Sequence, residues 1–365
     1  MSEKITVIGG GAVGCFAAIT AVLEGLDVIV IDPRGPMGGA ASRSAGIVTV
    51  QLDERTDVLL VLGSLRLLGE VASTSAVRTG FLQIGRMEDL SESVEAMNQA
   101  DVRYELFYKD DVRYRWPNLH VDEEEVSIYT DLDLAVEPTI LASEASEKLS
   151  ELGVRVIRDE VVSMRTSQDV VSELTLSSGE RMKVERVILA AGAHNNVLLG
   201  QLGLQLRVQV ITCYAYKFDL GSPTNLPCFS DERLHSYWRP WNTMMVGGGY
   251  DAEWAVRPCY EHREPPRAYV ERSLRMLRYR VRTNVTPKAL SSLSGPCEIT
   301  EDLEPYLGTV EGLSNLVVAG GLRGYGLMRG PKLGEMAYCI AVGKRPSLDV
   351  ERYGLQRLLT SHGRG

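Results

Sequence analysis

Lys4-Ile-Thr-Val-Ile8 is a short β-branched run that passes directly into Gly9-Gly10-Gly11-Ala12-Val13-Gly14. A helical pattern runs from Cys15 to Leu26, and a second β-branched run, Asp27 to Asp32, ends on an acid. Strand, glycine loop, helix, strand and terminal acid in this order make a dinucleotide-binding βαβ unit. Gly9 permits the tight turn, Gly11 with the backbone of Ala12 and Val13 admits a pyrophosphate, and Gly14 lets helix and strand pack closely. The helix start then offers the diphosphate unpaired N–H groups and a partial positive charge. Asp32 is placed to bond ribose hydroxyls and to repel a 2′-phosphate, which disfavours NADP. The competing interpretation is a strand–helix turn that merely needs glycine. The unit alone does not separate NAD from FAD.

The segment after the acid bears on that choice. Pro33, Arg34 and the Gly38–Val48 stretch, with Ala41, Ser42, Arg43, Ser44, Ala45 and Gly46, form a loop rich in small residues where an NAD dehydrogenase has another ordinary helix. Such a loop lets backbone lie along an extended cofactor, with the hydroxyls of Ser42 and Ser44 as donors. Near the other end, Asn315 to Gly320 is a strand pattern that runs into Gly321-Leu-Arg323-Gly324-Tyr325-Gly326-Leu327-Met328 and a helix expected over Leu327 to Val342. A strand that opens a helix through a glycine loop makes a second anion site. Two such starts suit a bipartite cofactor such as FAD.

On these residues the chain resembles the D-amino-acid oxidase superfamily of flavoproteins, in the branch of glycine oxidase, sarcosine oxidase and the dye-linked L-proline dehydrogenases. The resemblance implies noncovalent FAD, since no His or Cys matches a covalent attachment site. It implies an adenine contact from the backbone of Val161 or Val162, and a turn beside the cofactor at Ala190-Ala191-Gly192. It also implies an α/β FAD-binding Rossmann-like domain (1–80, 136–205 and 301–365) interleaved with an α+β antiparallel-sheet substrate domain (81–135 and 206–300). Strand-like runs at Phe81–Gly85, Val126–Tyr129, Val208–Phe218, Tyr237–Gly247 and Val285–Leu293 suit the latter.

The implied chemistry is hydride transfer from a small amino acid or secondary amine to the flavin. Tyr237 takes the position of a substrate-facing tyrosine, or else pairs with another aromatic across the sheet. Arg323 lies one residue before a carboxylate-binding arginine of the family; Arg329 and Arg239 are weaker candidates for that duty, and Tyr325 is a candidate pocket residue. Cys297 stands where glycine oxidase has a second arginine, and Met245 where monomeric sarcosine oxidase has its oxygen-activating lysine. The second departure tilts the reading toward a dehydrogenase that passes electrons to a dye, a quinone or a carrier protein rather than to O2. Rival readings are a 2-hydroxy-acid or glycerol-3-phosphate oxidoreductase, and a noncatalytic FAD-carrying subunit of a dehydrogenase complex, so oligomers are possible.

Composition narrows the partners. A net charge of −9 over 365 residues argues against nucleic acid. The arginine-rich stretch from Arg263 to Arg282 reads as an amphipathic helix with a solvated face. Six scattered cysteines, without a C-x-x-C, encode no metal site. No leader pattern opens the chain and no apolar run approaches the ~20 residues of a membrane span, so a cytoplasmic enzyme is expected.

Overall fold

The computed structural model describes residues 3–255 and 257–361; the extreme ends of the expected 1–80 and 301–365 segments lie outside them. One sheet has six strands in the order Tyr306–Val310, Leu313–Gly320, Arg186–Leu189, Lys4–Ile8, Asp27–Ile31 and Arg155–Ile157. Every neighbouring pair is parallel except the first. Lys4–Ile8 lies at its centre, covered on both faces, and every residue after Lys4 is buried, Thr6 included. Ile5 and Val7 pack among helices with Val13, Phe16 and Leu333, whereas Ile8 packs with Val161, Leu174 and Leu189. That second face is covered by an antiparallel meander, Val161–Ser167, Val170–Leu176 and Arg181–Lys183. The result is a three-layer α/β arrangement.

The first helix spans Ala12–Leu23, three residues earlier at both ends than its sequence pattern suggested. Gly11 caps it directly, and Gly25, at φ +89°, turns the chain so that Leu26 N–H bonds back to Ala21. It crosses the long helix Gly326–Ala341 at glycines. A Cβ on Gly334 would lie 2.2 Å from the Val13 carbonyl oxygen, and one on Gly330 2.7 Å from Ala12 Cβ. Small residues at these two positions, one turn apart, bring the two helix starts to the same place.

The second large sheet has nine strands and is largely antiparallel. Phe81–Gly85 falls as expected and the run from Val126 extends to Thr130. Tyr237 to Gly247 is two strands, Ser236–Trp241 and Met244–Gly249, because Asn242 takes φ +54° and turns the chain. The run expected over Val285–Leu293 is Lys288–Thr300, which pairs along the whole of Val208–Asp219 despite Gly295 and Pro296 in its interior.

Behind this sheet packs the helix Arg267–Arg280. Its polar face is not wholly solvated. Arg280 is buried, bonded to both oxygens of Glu125 at 2.6 and 2.7 Å and to Asp231. Among the described residues no helix is long and apolar enough to cross a membrane, and no cluster of His, Cys, Asp or Glu could hold a metal ion.

Candidate active site

The starts of both glycine-crossed helices line one cavity of about 750 Å³. No side chain caps either helix, so their first N–H groups remain available to it. Gly9, Gly11, Ala12 and Val13 form part of the wall at the carboxyl end of the central strand. Gly9 sits at φ +99°, and a Cβ there would lie 2.4 Å from the Ala190 carbonyl oxygen; Gly11 faces open space. Gly14 does not reach the cavity: a Cβ there would lie 1.8 Å from the Gly9 carbonyl oxygen, so its role is packing. Asp32 lines the wall and accepts the N–H groups of Gly10 and Arg34, each at 2.7 Å, which fixes the loop to the end of the second strand.

The small-residue loop folds over the same space. Ala41, Arg43, Ser44, Ala45 and Gly46 line it, and the Ser44 hydroxyl is buried without a partner. Ser42 turns away and donates to the Gly38 and Gly39 carbonyls. Pro33 and Arg34 lie outside the wall, but the Arg34 guanidinium sits 4.1 Å above the ring of Tyr260, which does line it. Tyr260 stacks in turn on His194 at 5.3 Å. Sequence reasoning missed Tyr260, which carries no motif and comes from an irregular segment.

Opposite, Ala190, Ala191, Gly192, Gly321, Arg323, Gly324, Tyr325, Gly326, Leu327 and Met328 complete the wall. Glu298 is buried beneath them. It accepts the Tyr306 hydroxyl at 2.7 Å and the Gly321 N–H at 2.9 Å, and Asn195 donates to the same hydroxyl at 2.8 Å. Burial pushes its carboxyl up to about 7, against the pull of those two hydrogen bonds. Cys297 and Cys213 also line the cavity, and the hydrogen bond to Cys213 together with burial holds the Cys297 thiol protonated.

The nine-stranded sheet, the turns that follow its strands and the 49–53 segment supply the rest. Gln83, Ser230 and Tyr237 lie in register across three strands and all line the cavity, with Glu232, Asp53, Gln51 and Tyr250. The Tyr237 and Tyr250 rings pack at a 44° tilt with centroids 5.4 Å apart. Tyr237 thus lines the cavity, and its aromatic neighbour comes from the turn after the adjacent strand, where Gly248 stands opposite it in register. Burial pushes its hydroxyl above the usual tyrosine range, so it stays a hydrogen-bond donor. Arg323, at φ +49°, lies over the Tyr325 ring at 5.4 Å and has no acidic partner among the described residues.

The weaker arginine candidates are structural. Arg329 is buried against Asp57 of the helix Arg55–Leu68 and does not line the cavity. Arg239 is buried against Glu137 at 3.0 Å and donates to the Ala45 carbonyl, supporting the small-residue loop from behind. Nor do Val161 and Val162 reach the cavity: the first is in the core below the sheet and the second is exposed. Gln51, Gln83, Glu232 and Tyr250 were not singled out from sequence. A single polar residue inside an apolar strand, Gln83 in Phe81–Gly85, was the available signal.

Comparison with known proteins agrees with this fold. N-methyl-L-tryptophan oxidase of Citrobacter koseri is 22% identical over 376 residues, covering 98% of this chain and 99% of that protein. The crystal structure of L-proline dehydrogenase from P. horikoshii superposes with a TM-score of 0.85 at 20% identity, covering 98% of this chain and 97% of that one. Glycine oxidase from Geobacillus kaustophilus gives 0.84 at 19% identity, with 98% and 99% covered. The model of the family described as FAD dependent oxidoreductase (DAO) matches residues 4–338, from the first strand of the six-stranded sheet into the helix that begins at Gly326. With both glycine loops and the cavity between them inside that match, the chain belongs to the FAD dependent oxidoreductase family, and its cofactor is FAD.

Proposed function

We propose that the protein oxidises a small amino acid or secondary amine at the carbon beside its nitrogen. The observation that carries this reading is the convergence of two uncapped helix starts, an unpartnered arginine and a tyrosine pair on one cavity. The relatives support the substrate class: one is named for an N-methylated amino acid, and the structural neighbours for proline and glycine.

In this reading Gly9, Gly11, Ala12, Val13 and Asp32 hold the dinucleotide end of FAD, and the Ser44 hydroxyl, buried without a partner, waits for one of its acceptors or donors. Gly321 to Met328 hold the flavin end, where the second helix start favours negative charge. When bound, FAD supplies the two-electron acceptor for the hydride that leaves the substrate carbon. In the same reading 1–80, 136–205 and 301–365 serve the cofactor and 81–135 and 206–300 the substrate.

The side chains then have separate tasks. Arg323 binds the substrate carboxylate with its guanidinium fork. Tyr237, Tyr250 and Tyr325 enclose the amine and exclude water, which lowers the ammonium pKa and favours the neutral amine from which hydride can leave. The carbon–hydrogen bond breaks, the nitrogen lone pair forms a carbon–nitrogen double bond, and hydrolysis of that imine releases a carbonyl product. No lysine lines the cavity and Met245 is buried away from it, which supports a dehydrogenase over an oxidase.

Anaerobic titration with sarcosine, glycine, L-proline and D- and L-amino acids tests the reading, with 2-hydroxy acids as the contrasting panel. Bleaching of the flavin bands by amines alone is expected. Bleaching by the hydroxy acids alone overturns it.

A further inference from the structure

The wall contributed by the nine-stranded sheet and by the 49–53 segment packed on it is dominated by hydrogen-bond acceptors. Gln51 is 4% exposed and its Nε2 donates to the carbonyl oxygens of Phe81 and Ile128 at 3.0 and 3.2 Å. Carbonyls only accept, so the nitrogen end of this amide is fixed, and the oxygen end is left without a partner. Gln83 is 6% exposed and repeats the arrangement: its Nε2 donates to Glu232 Oε1 at 3.1 Å, and its own oxygen is buried and unpartnered. Glu232 also accepts the Ser230 hydroxyl at 2.9 Å. At the rim stands Asp53, an exposed carboxylate that accepts the Ser93 hydroxyl at 2.7 Å.

Neither Glu232 nor Asp53 forms an ion pair among the described residues, and the cationic side chains that line the cavity are Arg43 and Arg323. Arg43 is occupied by the carbonyl oxygens of Gly38 and Gly39. This part of the wall therefore holds two amide oxygens with no hydrogen-bond donor and two carboxylates that have neutral hydroxyl or amide donors but no cation to pair with among the described residues. A buried amide oxygen without a donor opposes folding, and a ligand carrying N–H donors and positive charge would relieve it. The amine to be oxidised cannot serve this purpose, because it must be neutral when hydride leaves. A second nitrogen can.

We propose that the preferred substrate is a dibasic amino acid or its N-alkyl derivative, with its carboxylate on Arg323 and a side-chain ammonium or guanidinium on Gln51, Gln83 and Glu232. This rests on the amine-oxidation reading above and specifies its substrate.

The test compares isosteres that differ only in the second charge: lysine against norleucine, and Nα-methyllysine against N-methylnorleucine, each as both enantiomers. The readout is the ratio of flavin-reduction rate constant to dissociation constant in anaerobic stopped flow of the holoenzyme. A preference of about tenfold or more for the charged member is expected, falling toward one in Glu232→Gln and in the rim variant Asp53→Asn. Equal or better reduction by the norleucine members overturns this inference and leaves amine oxidation standing. A preference that survives both variants overturns the placement of the second charge. Failure of every amine to reduce the flavin overturns the reading and the inference together.

Discussion

Glu298 accepts the backbone N–H of Gly321 at 2.9 Å, so a carboxylate on one sheet fastens the glycine loop that ends a strand of the other. The tie has a pH signature. In the unfolded chain this carboxyl titrates near 4.5, and burial raises it to about 7 in the folded protein. Below 4.5 both states are protonated and the group contributes nothing. Between the two values the folded state holds a proton that the unfolded state has lost, so stability falls as pH rises. Above about 7 the full penalty is present, on the order of 3 kcal/mol. Glu298→Gln should flatten this part of the stability profile of the FAD-free protein between pH 5 and 7 by about one proton. Denaturant titrations across that range measure it; parallel profiles for the two proteins would show that Glu298 does not titrate there.

The crossing of the two helices makes a second prediction. Gly334→Ala would press a methyl group onto the Val13 carbonyl, 2.2 Å away, and onto the Ala17 nitrogen at 2.8 Å. Both are backbone atoms and cannot swing aside. A loss of about 1–3 kcal/mol follows, together with weaker FAD retention, because the shift spreads both helix starts. Gly200→Ala is the control: a Cβ at Gly200 meets nothing within 4 Å, and its φ is not positive. Thermal denaturation and flavin content after gel filtration compare the two. Equal behaviour would remove the helix crossing from the account of cofactor binding.

Much of the cofactor half was legible because its signals are local. Gly9, Gly11, Gly14 and Asp32 act within one βαβ unit, and Gly321 to Gly326 act within one strand–helix turn, so spacing alone locates them. The arginines were not legible in this way. Arg323 and Arg329 lie six positions apart beside the same loop, and only the fold brings Asp57 to the second and no acid to the first. The same holds for Arg280, which reads as one more cation on a solvated helix face until Glu125 and Asp231 meet it. Gln83, Ser230 and Tyr237 become one row only after three strands pair in register.

The two loop arginines should therefore fail in opposite ways. Arg329→Ala strands Asp57 in the core and should cost about 3–5 kcal/mol of stability. Arg323 holds φ +49°, a left-handed conformation that glycine adopts more readily. Arg323→Gly should leave stability unchanged or raise it by up to about 1 kcal/mol, while the efficiency with carboxylate substrates falls about tenfold or more and uncharged amines are spared. Thermal melts and flavin-reduction kinetics with an amino acid and its amide separate the two. Equal loss for acid and amide in Arg323→Gly would count against the carboxylate contact.

Ser44 makes the sharpest distinction between folding and function. Its hydroxyl is buried in the cavity wall with no hydrogen-bond partner, a situation that opposes folding of the cofactor-free chain. Ser44→Ala removes that unsatisfied group, so the apoprotein should be as stable as the wild type or more stable by up to about 1 kcal/mol. If the hydroxyl is kept for FAD, the same substitution removes a hydrogen bond from the complex, and the dissociation constant for FAD should rise about five- to tenfold. Denaturation of the apoprotein gives the first quantity and fluorescence titration with FAD the second. Only a group reserved for a ligand gives the two effects opposite signs. Apoprotein destabilised by Ser44→Ala, with FAD affinity unchanged, would make the hydroxyl an ordinary part of the loop.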